Sequence, residues 1–133
     1  MPDYGVFPVV VVIEAANIDQ NEVHDVPLVA APLIGELDVL RIEMIQTGAV
    51  SGGTITADVE HVAADETKTD LVSAFNLEGA DTDTVTAVMT TPKRLTRGEF
   101  INLEITASND AVTDGDGITF ICWCRLAEWN GLL

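Results

Sequence analysis

Along this 133-residue chain, apolar residues recur mostly at every second position. Residues 100–108 (FINLEITAS) show the pattern best, with Ile101, Leu103, Ile105 and Ala107 on one side and Asn102, Glu104 and Thr106 on the other. Residues 54–62 (TITADVEHV) set Ile55, Ala57 and Val59 against Thr56, Asp58 and Glu60. Successive side chains leave a strand on opposite faces, so this period predicts strands with one buried face. Further strands are predicted over 6–14 (VFPVVVVIE), 23–31, 37–46, 84–91 and 118–126 (ITFICWCRL). Within 37–46 the alternation places Leu40, Ile42 and Met44 on one face. It places Val39, Arg41, Glu43 and Ile45 on the other. Val85, Ala87 and Met89 share a face in 84–91. In the last strand Ile118, Phe120, Cys122 and Cys124 form the inward set, opposite Thr119, Ile121, Trp123 and Arg125.

Residues 63–83 support two readings. Leu71, Val72 and Phe75 sit at helical spacing, yet the segment could equally be extended. The stretch TPKRLTRGE is expected to be a polar connection. Pro8 places the early part of its strand at an edge or at the strand start, because proline cannot donate to a ladder, and 23–31 is a weaker strand with Pro27. Glycine-rich turns such as GAVSGG separate the runs. About seven or eight short strands at regular spacing argue for an all-β, jelly-roll-like antiparallel β-sandwich. One domain is expected over 1–133, with an N-terminal arm at 1–7 and a C-terminal tail at 127–133.

Charge narrows the functional classes. Six basic against 22 acidic residues leave a net charge of −16. Such a surface repels nucleic acid and anionic membranes, so neither is an expected partner. The beginning of the chain lacks the positive region of a secretory signal, and its apolar run is too short to cross a bilayer.

Candidate chemistry is thin. Cys122 and Cys124 project from the same strand face, and an extended backbone poorly suits a bridge between them. They read as small core hydrophobes rather than a metal or redox pair. Asp114 and Asp116 lie in a DGDG turn with Asp110 nearby. Asp-Gly is ordinary hairpin chemistry, and the three aspartates are at most weak calcium candidates. Asp81 and Asp83 are read in the same way. His24 and His61 are single residues within strands and read as structural or exposed. No nucleophile elbow, P-loop or H-E-x-x-H occurs, so no enzymatic activity, metal or cofactor is expected. Partner-contact candidates are the basic cluster Lys93, Arg94 and Arg97, and the terminal residues Tyr4, Phe7, Trp129, Leu132 and Leu133.

From Gly35 to Leu126 the chain resembles a jelly-roll domain of tailed-phage virions. The stretches that carry the likeness are GELDVLRIEMIQTGAVSGGTITADVEHV, DLVSAFNLEGADTDTVTAV and RLTRGEFINLEITASNDAVTDGDGITFICWCRL. Small stand-alone copies resemble head decoration, or cement, proteins. That resemblance implies a structural protein on the outer capsid surface of the virion. It would bind the major capsid protein and other copies of itself, commonly as a homotrimer. The Cys-x-Cys and the acidity stand outside the family pattern. The alternative expectation is a receptor- or carbohydrate-binding sandwich module of a phage fibre or tail, with Trp123 as its aromatic platform.

Overall fold

A computed structural model of the chain describes residues 5–13, 23–33, 35–46, 50–51, 55–77, 85–107, 112–113 and 117–129. These residues form β1 (Val6–Ile13), β2 (Val23–Ala30), β3 (Gly35–Gln46), β4 (Val50–Ser51), β5 (Ile55–Val62) and β6 (Lys68–Asn76). They continue as β7 (Val85–Met89), β8 (Lys93–Leu95), β9 (Phe100–Ala107), β10 (Val112–Thr113) and β11 (Ile118–Trp129). Nine of these strands build two antiparallel sheets packed as a sandwich. The front sheet runs β1-β11-β3-β7, with β8 also on β3, and the back sheet runs β2-β9-β5-β6. β4 and β10 form a separate two-stranded ribbon.

Most connections cross between the sheets. The chain alternates β1, β2, β3, β5 between front and back, makes the β5–β6 hairpin, and then returns through β7, β9 and β11. This interleaving is the jelly-roll order, and it follows from the need to bury one apolar face per strand. The core comes from both sheets. Val39, Ile42, Phe120, Cys122 and Cys124 of the front face Val59, Ile101, Leu103 and Ile105 of the back, all at 0% exposure. Each of the larger side chains contributes about 1.5–3 kcal/mol by leaving water.

The predicted strands are present, with ends differing by up to three residues. Residues 68–76 are a strand, which settles the open choice over 63–83 against a helix there. The expected polar connection after residue 90 contains β8, whose Leu95 is fully buried. β11 runs to Trp129, within the expected tail, and pairs it with Gly35. Phe7, expected in the arm, lies within β1 opposite Cys124. Two face assignments change at β-bulges. Leu40 is the extra residue between the Arg41–Trp123 and Val39–Cys124 pairs, so Val39 turns inward alongside Ile42. Val88 is extra between the Met89–Ile42 and Ala87–Glu43 pairs, so Met89 is buried while Val85 and Ala87 are exposed.

Candidate functional site

Among the described residues, four surfaces carry side chains from which function can be argued. On the outer side of the back sheet, the register sets Asp25 beside Glu104 and Glu60 beside Asn102. Carboxylate oxygens of Asp25, Glu60 and Glu104 lie within 4.8 Å of one another. Lys68 Nζ sits among them, at 3.3 Å from Asp25, 3.6 Å from Glu60 and 3.5 Å from Glu104. The Asn102 amide donates to Asp25 and to Glu60, both at 2.9 Å. Burial works against the Lys68 ammonium, but the hydrogen bond and charge of Asp25 and the charges of Glu60 and Glu104 outweigh it and raise its pKa. The cluster is a polar strut across four strands, with the ammonium at its centre. Sequence analysis missed it because its members are scattered from residue 25 to 104, and only pairing register unites them.

The second surface lies at the β8 end of the front sheet. Asp38 accepts from Arg94 Nε at 2.8 Å and Nη2 at 3.0 Å, and from Arg125 Nη2 at 3.4 Å. The paired Arg94 hydrogen bonds hold the Asp38 carboxyl below its ordinary range despite burial, with Arg125 adding to the effect. Arg94 also reaches Glu36 at 3.8 Å. The basic cluster is thereby divided. Arg94 is engaged within the sheet, Lys93 is half-buried, and Arg97 is exposed in the following turn. Glu99 folds that turn by accepting from the Thr96 N–H at 2.7 Å, and it lies 2.8 Å from His61 Nε2. The Thr96 hydrogen bonds, then His61, lower the Glu99 pKa.

The third surface is the rest of the front sheet's outer face. The ladder aligns Val10 with Ile121, Pro8 with Trp123, and Val12 with Thr119. Across β11, Trp123 pairs with Arg41 and Ile121 with Glu43, while Val85 pairs with Ile45. The Trp123 indole N–H donates to Glu43 at 2.6 Å, and Arg41 binds the same carboxylate at 2.9 Å. Trp123, then Arg41, lowers the Glu43 pKa. Val6, Val10, Val12 and Val85 are 55–62% exposed. The result is an apolar strip on a very acidic protein.

The fourth surface is a cleft of about 380 Å³ between β6 and β7, lined by Leu71, Val72, Val88 and the residues from Met89 to Lys93.

The remaining sequence candidates do not converge. His24 pairs with Ile105 and His61 with Ile101, four residues apart along β9 and on opposite sides of it. Cys122 and Cys124 are free, buried thiols. Burial, together with the neighbouring Cys124 charge, pushes the Cys122 pKa up to about 12, and burial pushes that of Cys124 to about 11. Both are therefore unreactive thiols at neutral pH. Tyr4, Asp81, Asp83, Asp110, Asp114, Asp116, Leu132 and Leu133 lie outside the described residues, as does the Trp129 side chain.

No protein-family model matches the chain, and no curated protein matches it. Among solved structures, a CocE/NonD family hydrolase from Staphylococcus aureus aligns at 6% identity and TM-score 0.30, over 92% of this chain and 33% of its own. A chain of infectious bursal disease virus, Gt strain, aligns at 14% identity and TM-score 0.32, over 91% of this chain and 42% of its own. The N-terminal cellulose-binding domain of a Cellulomonas fimi beta-1,4-glucanase aligns at 13% identity and TM-score 0.22, over 93% of this chain and 78% of its own. The chain thus spans a third to two-fifths of the first two proteins' lengths. TM-scores this low assign neither family nor function.

Proposed function

We propose that this chain is a non-enzymatic structural protein of a phage virion, a decoration (cement) protein on the outside of the head. Its sandwich spans the Gly35–Leu126 stretch that resembles such proteins. The observation that carries the proposal is the exposed apolar strip around Val10, Val12 and Ile121, a surface suited to protein contact. In this role the protein binds the major capsid protein and copies of itself. Many weak contacts then add up through multivalency. Arg97 and the chain ends, with Tyr4, Leu132 and Leu133, are the proposed shell contacts. Quantitative mass spectrometry of purified virions from the source tests this. Copy numbers comparable to the major shell protein are expected, and a handful per particle or none overturns it.

A second reading has its own observation. Trp123 lies on the outer face beside the Arg41–Glu43 pair, as a carbohydrate-binding module of a fibre or tail would need. Its N–H is engaged by Glu43, and stacking on a sugar would use the exposed part of the half-buried ring. Under this reading the protein binds a glycan array and Trp123→Ala lowers that binding at least tenfold. Absent or unchanged binding rejects it.

A further inference from the structure

We infer that β1 and the apolar strip beside it form the surface through which this chain associates with a second copy of itself. Among the described residues the sandwich has four edges, and three carry devices that discourage pairing. β6 has two bulges against β5, with Ala74 at a φ of 48° and held by Asp58 Oδ1. β2 carries Pro27 and a bulge at Leu28. The far edge of the front sheet is split between the short strands β7 and β8. β1 differs. Its eight residues pair with β11 in unbroken register, Pro8 is its one interruption, and Val9–Ile13 is a run of β-branched residues. A regular, apolar edge of this kind pairs or packs with another chain unless something covers it.

Charge identifies the occupant. Among the described side chains, Arg41, Arg94 and Arg125 lie on the front outer face with Glu36, Asp38 and Glu43, three charges of each sign. The back outer face sets Asp25, Asp58, Glu60, Asp70 and Glu104 against Lys68. A basic partner would be drawn to the back. The front matches a partner that brings a neutral, mixed-sign apolar face, and a second copy brings one. Copies carrying −16 each can meet there with their acidic faces turned away. Four strands about 4.8 Å apart and eight residues at about 3.4 Å each span roughly 500 Å² a side. The total of about 1,000 Å² reaches the threshold for a specific, reversible interface.

Sedimentation velocity of the full chain from about 1 µM to 1 mM tests the inference, at fixed salt. The expected result is a concentration-dependent rise from one chain to a closed oligomer, whose mass gives the number of copies. Val10→Glu with Val12→Glu is expected to raise the dissociation constant at least tenfold. Thr90→Glu with Thr91→Glu, which adds the same charge at exposed positions elsewhere, is expected to leave it unchanged. If the glutamates impair folding, Val10→Thr with Val12→Thr keeps the β-branched shape and is expected to weaken association in the same direction. A wild-type chain that stays a single copy at every concentration overturns the inference, as does association that a folded β1 variant leaves intact. The virion copy number is a separate measurement, so failure of the proposed function and failure of this interface are distinguishable.

Discussion

Asp38 shows how one side chain ties three strands together. It sits on β3 with Arg94 of β8 on one side and Arg125 of β11 on the other, and it is 8% exposed. The arginines are about half exposed, which reduces the value of the pairs. Asp38→Asn is expected to cost about 1–2 kcal/mol, read as a lower urea midpoint at pH 7. The folded-state pKa of Asp38 is depressed, so its contribution is present above the ordinary value of 3.8 and is lost as pH falls through the folded value. The gap between wild type and Asp38→Asn should therefore close in acid. A gap that persists at low pH would show that packing, not charge, is responsible. None of this was legible at residue level, because Lys93, Arg94 and Arg97 look alike in a sequence. Only the Asp38–Arg94 register distinguishes the engaged arginine from its exposed neighbour Arg97.

At the scale of elements, regular alternation was legible and bulges were not. β9 and β11 have the faces their sequences predict, because each residue of their apolar sets meets the opposite sheet without interruption. β3 departs from prediction at Leu40, where an extra residue changes the phase and buries Leu37 and Val39 with Ile42. Deleting Leu40 leaves Val39 opposite Cys124 and Arg41 opposite Trp123 in a regular ladder. The deletion variant is expected to melt cooperatively, within about 1 kcal/mol of wild type, since Leu40 is only half-buried. Deleting Glu104 from β9, whose register with β5 is unbroken, turns Ile101 and Leu103 to the outer face. That variant should lose roughly 3–6 kcal/mol. Equal behaviour of the two deletions in thermal melts would refute the phase argument. β6 was ambiguous for a related reason. Two bulges within nine residues break its period of two, so Leu71, Val72 and Phe75 mimic helical spacing.

For the whole molecule the dominant long-range quantity is the net charge of −16. The described ion pairs are mostly half-exposed and local, whereas the excess of acid acts across the entire surface. Salt shortens the screening length from about 30 Å at 0.01 M to about 3 Å at 1 M. Relief of self-repulsion should outweigh the weakening of the pairs. The melting temperature is expected to rise by about 3–6 °C between those concentrations. A fall would mean that the local pairs, not the global charge, govern stability. The candidate surfaces also emerge only at this scale. The acidic strut gathers residues 25, 60, 68, 102 and 104, and the apolar strip gathers β1, β11, β3 and β7.

Periodicity by itself determined the class of fold, the positions of most strands, the inward set of β11 and the placement of both cysteines in the core. Each depends on local alternation, and the cost of exposing an apolar face enforces it wherever the strand packs. Tertiary structure alone decided which strands are neighbours. Neighbours in turn decide where a bulge changes the phase, which arginine meets Asp38, and which edge is regular and unpaired among the described residues. Those outcomes depend on pairing between residues far apart in the chain, and no local pattern encodes that pairing.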